Sequence, residues 1–389
     1  MLLVEKASRM NSIPPYLFAE LDEKKRGLVN AGKDIIDLGI GDPDIPTPSH
    51  IIKKMAKACE KGENHRYPPY PGTLPFREAV AKWYKNRFDV ELDPENEVLA
   101  LIGSKDGIAH IPFVFIDSGD IALVPSPGYP VYHQSVAFAG GDSFFMILKK
   151  ENHFLPDLGA IPSEVLSRAK MMFINYPNNP TSAIASLDFF NSVISFAKKH
   201  KVLVCHDAAY SEIYFDGNKP VSFLQADGAK DVGVEFHSFS KTYNMTGWRL
   251  GWVVGNREVI KALGLFKSHI DSGIFSAIQE AGIEALTGDQ SSVEVMRNIY
   301  QERRDILVKY LKDIGLDFEP CNATFYLWVQ VPKGYSSTSF TSYLLEKAGI
   351  VVTPGSGLGE GGEGYIRISL TADKKRIEEA GKRLSSIKF

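Results

Sequence analysis

Residues 234–254 read VEFHSFSKTYNMTGWRLGWVV and place one lysine, Lys241, between two apolar runs. The runs, Val234–Phe239 and Leu250–Val254, have the length and composition of strands that lie inside a sheet. A single lysine is most often a solvated surface charge. The apolar residues on both sides of Lys241 argue against such a position.

Five further apolar runs precede this segment, with helix-sized stretches between them: Val98–Ile102, Ile121–Val124, Phe144–Leu148, Met171–Ile174 and Val202–Cys205. One of the intervening stretches, Leu74–Phe88, has the apolar spacing of an amphipathic helix. Near-continuous apolar strands that alternate with helices are typical of parallel sheets covered on both faces. The sequence therefore predicts an α/β fold with a mostly parallel, seven-stranded sheet flanked by helices.

The pattern changes near residue 285, where a long charged helix (Val293–Leu311) precedes a strand (Phe325–Val331) and further helix and strand. This order predicts a smaller α+β domain. We expect residues 46–285 to form the large domain and residues 286–389 the small one, with residues 1–45 packing against the small domain.

Composition favours an ordinary globular enzyme. The 389 residues are 44% hydrophobic and 23% charged, and the formal net charge of -3 gives no electrostatic reason to expect nucleic acid or an anionic membrane as partner. The cysteines Cys59, Cys205 and Cys321 show no CxxC spacing, which predicts neither a disulfide framework nor a metal site. Charges at Glu5 and Lys6 interrupt any signal segment, and no run approaches the length of a membrane span. These features predict a cytoplasmic protein.

Chemically reactive side chains follow the apolar runs, at the strand ends where α/β sheets bind ligands. A lysine amine can condense with an aldehyde, and nearby Ser238, Ser240 and Arg249 can hold a phosphate dianion. Pyridoxal 5′-phosphate (PLP) carries both groups. The S-x-S-K and G-W-R-x-G elements of this segment resemble the signature of class I/II PLP-dependent aminotransferases of fold type I.

The resemblance extends over nearly the whole chain and implies roles for residues around the cofactor ring. Asp207, in VLVCHDAAY, would pair with the pyridine nitrogen, and Tyr210 and Asn179 would bind the phenolic oxygen. Tyr129, in VPSPGYPVY, would stack on the ring. Taken alone, these residues would be interpreted as a helix N-cap, core tyrosines and a turn.

Further matches concern the phosphate and the substrate. Ser104 and Lys105, in the glycine-serine junction that opens a helix, would contribute to the phosphate site. Arg367, in GYIRISL, would bind the substrate α-carboxylate together with Asn179, and Gly41 would approach that carboxylate through its backbone.

The resemblance also implies a homodimer with shared active sites. Tyr67, in HRYPPYPG, would reach the phosphate site of the neighbouring subunit. In HIDSGIFSAIQ, either Ser276 or Ser272 would do the same, and the sequence does not choose between them.

The implied reaction is amino transfer in two stages with ping-pong kinetics. Lys241 would hold the cofactor as an aldimine. After an amino acid displaces it, the free amine would act as general base in conversion to a ketimine, with Asp207 and Tyr210 supporting the ring. An amino acid donates the amino group and a 2-oxo acid, with 2-oxoglutarate as the family expectation, accepts it.

Three segments, LGIGDPDIPTP, INYPNNPTSAIA and HIDSGIFSAIQ, are similar to the subgroup that acts on LL-diaminopimelate in lysine biosynthesis. Ser182 departs from the common family form NPTG, a departure that suits this subgroup and argues against a generic aspartate aminotransferase.

Aminotransferases for aspartate, alanine or aromatic amino acids remain alternatives. So does a PLP lyase of the same fold, such as a C–S lyase. A PLP-binding regulator would need a DNA-binding domain, which we do not expect because the family pattern starts by residue 35.

Overall fold

The computed structural model describes residues 4–7, 9–10 and 19–388. Part of the predicted N-terminal segment 1–45 thus lies outside the described residues. The α-helices are α1 (Ala19–Asn30), α2 (Ser49–Cys59), α3 (Leu74–Phe88), α4 (Ser104–Phe115), α5 (Val131–Ala139), α6 (Ser163–Leu166), α7 (Leu187–His200), α8 (Ala229–Val232), α9 (Phe239–Thr242), α10 (Arg257–Ser268), α11 (Ser276–Thr287), α12 (Ser291–Asp313), α13 (Ser337–Ala348) and α14 (Lys374–Ser385).

The strands form one large and two small sheets. They are β1 (Ile36–Asp37), β2 (Val98–Leu101), β3 (Ile121–Ser126), β4 (Asp142–Ile147), β5 (Ala169–Asn175), β6 (Leu203–Asp207), β7 (Gly233–Ser238), β8 (Gly251–Gly255), β9 (Tyr326–Gln330), β10 (Ile350–Val351), β11 (Thr353–Pro354) and β12 (Tyr365–Ser369).

The large sheet has seven strands in the order β2-β8-β7-β6-β5-β3-β4. Strand β8 runs antiparallel to both of its neighbours, β2 and β7, and the other pairs of the sheet are parallel. Each of the seven apolar runs overlaps one of these strands, so the predicted mostly parallel sheet is confirmed. Strands β3 and β7 are buried at every position, because helices cover both faces.

The covering helices follow the sequence pattern. Helix α3 has the predicted bounds and buries Phe76, Val80, Trp83 and Tyr84. The residue after the helix, Asp89, has a left-handed φ of 56° and caps the last turn. Helices α4, α5 and α10 pack together around one apolar core on the opposite face of the sheet.

A smaller α+β unit, as expected, lies at the carboxyl ends of the parallel strands. Strands β11, β12 and β9 form an antiparallel sheet, and α12 packs on α14. The N-terminal strand β1 pairs in parallel with β10. Asp34 accepts hydrogen bonds from Arg376 and Arg383 of α14. The domain boundaries at residues 45 and 285 stay a prediction.

Candidate active site

A cavity of about 420 Å³ lies where the carboxyl ends of the large sheet face the small antiparallel sheet. All of the predicted site residues except Tyr67 and Ser276 line it: Gly41, Ser104, Lys105, Tyr129, Asn179, Asp207, Tyr210, Ser238, Ser240, Lys241, Arg249 and Arg367. Parallel strands bring these residues together because β5, β6 and β7 all end at this edge. The volume is within the usual range for small-molecule sites.

Lys241 lies in the single-turn helix α9, directly after β7. Its Nζ donates a hydrogen bond to the Gly41 carbonyl at 2.9 Å and lies 5.6 Å from the centre of the Phe325 ring. Burial lowers the pKa of Lys241, and it does so against the opposing influence of Tyr326 and Asp42. A lowered pKa makes the neutral, nucleophilic amine accessible nearer neutral pH.

Asp207 ends β6 and is buried beside the cavity. Its carboxylate accepts hydrogen bonds from the Tyr132 hydroxyl at 2.8 Å and the Ala209 N–H at 3.2 Å. Burial raises the pKa of Asp207, although the Tyr132 hydrogen bond opposes the shift. A carboxylate can accept about four hydrogen bonds, so Asp207 keeps capacity for a cationic partner.

Asn179 is oriented by its neighbours. Its backbone N–H donates to the side-chain oxygen of Asn175 at 2.8 Å, and Asn175 also donates to the Asp207 carbonyl at 2.7 Å. The side-chain oxygen of Asn179 accepts from Arg367 at 2.8 Å. The amide nitrogen of Asn179 is thereby left as the donor for a ligand, as its predicted role requires.

The junction before α4 brings a guanidinium close to the start of a helix. Gly103 has φ +75°, and a Cβ added there would lie 2.5 Å from Arg249 Nη2. The glycine therefore lets the guanidinium approach the start of the helix. Ser104 and Lys105 lie in the first turn of α4, where backbone N–H groups have no acceptor within the helix. Free N–H groups, a guanidinium and nearby serine hydroxyls fit a phosphate dianion.

Arg367, on β12, is fixed on several sides. Its guanidinium donates to Asn179, to the Gly39 carbonyl at 2.9 Å and to Thr353 Oγ1 at 3.2 Å. It also lies 4.3 Å above the Tyr326 ring. Its buried Nε has no hydrogen-bond partner among the described residues. A preorganised guanidinium with a donor to spare fits a carboxylate ligand.

Ten further residues line the cavity that the sequence did not predict, and four of them hydrogen-bond to or stack on predicted site residues: Tyr132, Asn175, Tyr326 and Thr353. Tyr132 lies in the segment VPSPGYPVY, three residues after Tyr129. Asn175 lies in the segment INYPNNPTSAIA, whereas Tyr326 and Thr353 act through tertiary contacts that no local motif marks.

Tyr67 and Ser276 lie outside the cavity. Tyr67 is 88% exposed, and Ser276 is the half-buried first residue of α11. Ser272, the alternative to Ser276, is exposed. Their contribution to a neighbouring subunit's site stays a prediction. No group of metal-ligating side chains was found among the described residues, and none of their helices is long and apolar enough to cross a membrane.

A family model for class I and II aminotransferases matches residues 33–384. The chain belongs to the class I and II aminotransferase family, whose members use PLP. The residues around Lys241 fit that cofactor, since they provide an amine, donors for a phosphate and a buried carboxylate.

The chain is 58% identical over 384 residues to the LL-diaminopimelate aminotransferase of Syntrophobacter fumaroxidans, covering 99% of each chain. It is 53% identical over 387 residues to the LL-diaminopimelate aminotransferase of Aquifex aeolicus, covering 100% of each. Among solved structures, substrate-bound BacF from Bacillus subtilis matches with a TM-score of 0.94 and 39% identity, over 99% of this chain and 98% of that one.

Proposed function

We propose that this protein transfers an amino group from LL-diaminopimelate to 2-oxoglutarate, in lysine biosynthesis, at the cavity around Lys241. The observation that carries this proposal is full-length identity of 53% and 58% to two proteins named LL-diaminopimelate aminotransferase. The segments LGIGDPDIPTP, INYPNNPTSAIA and HIDSGIFSAIQ, which resemble this subgroup, support the proposal as well.

PLP, when bound, supplies an aldehyde that links to amines and a ring that accepts electrons from the substrate carbon. Asp207, Asn179, Tyr210 and Tyr129 would hold its ring. Ser104, Lys105, Ser238, Ser240 and Arg249 would hold its phosphate. Burial raises the pKa of Asp207, and a cationic ring nitrogen beside it would favour the ionised carboxylate.

Lys241 would remove the proton from the substrate α-carbon and deliver it to the cofactor carbon that is bonded to the transferred nitrogen. Burial lowers the pKa of its amine, which suits a general base. In the described structure the amine already binds the Gly41 carbonyl, so the same backbone segment would orient both the lysine and the substrate.

Two cations of the cavity correspond to the two carboxylates of diaminopimelate. Arg367 would bind the α-carboxylate. Lys105 is exposed at the cavity, with its Nζ 6.0 Å from the centre of the Tyr129 ring. Lys105 would contribute to the phosphate site, and its side-chain ammonium would also attract the distal carboxylate of the substrate. Tyr67 and Ser276 would complete the site from a second subunit.

A donor screen tests the proposal. The cofactor-loaded protein is given 2-oxoglutarate with LL-diaminopimelate, aspartate, alanine or tyrosine in turn, and glutamate is measured. We expect diaminopimelate to give the highest kcat/KM. Good turnover of aspartate or tyrosine without glutamate from diaminopimelate would refute the substrate assignment. Pyruvate and ammonia formed without an oxo-acid acceptor would instead indicate a lyase.

Lys105→Met is a matched variant for the distal contact. It keeps the length of the side chain and removes the charge. We expect about a tenfold rise in KM for diaminopimelate and a much smaller rise for alanine, which has no distal carboxylate. Equal changes for both donors would assign Lys105 to the phosphate alone.

A further inference from the structure

Ser182 stands where the common family motif has glycine, and its backbone explains that preference. Its φ of 63° lies in the left-handed region, which glycine adopts freely and serine adopts at an energetic cost. The side chain is buried, with 2% of the residue exposed. A serine in this conformation needs a compensating interaction.

Thr324 shares both properties. It also has a φ of 63° and is fully buried, although a β-branched residue is especially rare in this region. The hydroxyl oxygens of Ser182 and Thr324 lie 2.8 Å apart. Buried residues of this kind persist when surrounding contacts hold them, and they concentrate at functional sites.

The two hydroxyls form a closed hydrogen-bond circuit with the backbone of Tyr326. The Tyr326 N–H donates to Thr324 Oγ1 at 3.1 Å, and Ser182 Oγ donates to the Tyr326 carbonyl at 2.7 Å. A hydroxyl has one proton to donate, so Thr324 must be the donor to Ser182. The Cys321 thiol donates to the same carbonyl at 3.0 Å. The circuit starts and ends on one residue and fixes its backbone.

Tyr326 contacts three parts of the substrate site. Its hydroxyl lies 3.1 Å from that of Tyr210, and its ring lies 4.3 Å below the Arg367 guanidinium. A Cβ on Gly41 would lie 1.8 Å from the Tyr326 hydroxyl, so the tyrosine fills the space that this glycine leaves. A small displacement of Tyr326 would disturb all three contacts.

We propose that Ser182 and Thr324 are positioning residues whose hydroxyls hold Tyr326 under Arg367 and thereby set the affinity of the site for a substrate carboxylate. This inference rests on the carboxylate-binding role of Arg367 in the proposed function. It assigns a role to the serine at the position where the family motif has glycine.

Four variants separate the hydroxyl from the backbone conformation. Ser182→Gly removes the hydroxyl and suits the left-handed backbone, whereas Ser182→Ala removes the hydroxyl and keeps the unfavourable conformation. Thr324→Val removes the second hydroxyl with little change of shape, and Thr324→Ser keeps it. The probe is glutarate, an unreactive dicarboxylate, and its binding to the cofactor-loaded protein is measured by isothermal titration calorimetry, together with Tm and with KM and kcat for the donor.

We expect Ser182→Gly, Ser182→Ala and Thr324→Val each to weaken glutarate binding about fivefold to tenfold and to raise KM more than they lower kcat. Thr324→Ser should bind glutarate within about twofold of the wild type. The double variant Ser182→Gly/Thr324→Val should be no weaker than either single variant, because one change already opens the circuit. A purely structural role would change Tm and leave glutarate binding alone.

Arg367→Lys distinguishes the failure of this inference from the failure of the proposed site. Weak glutarate binding in Arg367→Lys with wild-type binding in Ser182→Gly would overturn the role of Ser182 only. Wild-type binding in both variants would overturn the carboxylate site and this inference with it.

Discussion

Two buried carboxylates lie on neighbouring strands, Asp207 at the end of β6 and Glu235 in β7, and they are bonded very differently. Asp207 accepts one hydroxyl and one N–H. Glu235, which does not line the cavity, accepts from five donors: Tyr84, His206, Ser222, the Phe223 N–H and His237.

The pKa shifts of the two carboxyls have opposite signs. Burial raises the pKa of Asp207. Burial opposes ionisation of Glu235 too, but the hydrogen bonds from His206 and His237 outweigh it and hold its pKa well below the usual range. A buried carboxylate whose partners are complete belongs to the fold, because breaking up such a set of partners destabilises the protein. One whose partners are incomplete, facing a cavity, is available for a ligand.

Glu235→Gln should produce the largest effect, and this effect should be a loss of stability. The amide supplies no negative charge for the two histidines, and breaking a buried pair of this kind costs about 3–5 kcal/mol. We expect a matching loss in the free energy of unfolding by chemical denaturation, with PLP affinity changed less than about threefold. A stable variant that had lost PLP affinity would erase the distinction between the two carboxylates.

Asp207→Asn should have the opposite pattern, with a large loss of activity and no loss of stability. Losing a preorganised charge at the reacting group costs about 10²–10³-fold in kcat. Because the folded pKa of Asp207 is raised, its contribution to stability is complete below its ordinary pKa and is lost as pH rises through the folded value. At pH 7 the cofactor-free variant should therefore melt higher than the wild type, by roughly 2 °C. A lower melting temperature would contradict this account.

Tyr132→Phe removes the hydroxyl that donates a hydrogen bond to the Asp207 carboxylate. Its loss should raise the pKa of Asp207 further, since that hydrogen bond lowers it. The acidic limb of the pH–kcat/KM profile should move to higher pH, with about a tenfold loss of kcat/KM at neutral pH. Tyr129→Phe is the control: it keeps the ring and should leave that limb in place.

Asp34→Asn should produce the smallest effect, because this carboxyl is exposed. Hydrogen bonds from Arg376 and Arg383 lower its pKa from 3.8 to about 2. A lowered folded pKa gives stability that is present above the ordinary value and lost as pH falls toward the folded one. Wild type and variant should melt within about 2 °C at pH 7 and converge as pH drops from about 4 to 2. A constant difference over that range would rule out this linkage.

Much of the fold was predictable because each strand of the large sheet overlaps a mostly apolar run. Most of the cavity was predictable as well, since reactive side chains follow those runs at one edge of the sheet. Glu235 and His237 interrupt the run Val234–Phe239 and could have indicated a buried polar cluster there. Sequence alone could not show that their partners come from α3 and from the segment at Ser222.

Contacts across the two sheets could not be predicted. Tyr326 meets Tyr210, and Ser182 meets Thr324, only because the small sheet folds against the strand ends of the large one. The glycine of the common form NPTG was a signal for a left-handed φ at Ser182, whereas Thr324 has no such signal, since threonine does not favour this conformation.

Sodium borohydride treatment of the PLP-loaded protein tests the central claim most directly. The reagent makes the link between a lysine amine and the cofactor aldehyde permanent, and peptide mass spectrometry then locates it. The account predicts the label on Lys241, and none on the Lys241→Ala variant, which should also lose at least about 10³-fold in transamination. A label on another lysine in the wild type, or near-normal turnover by Lys241→Ala, would contradict it.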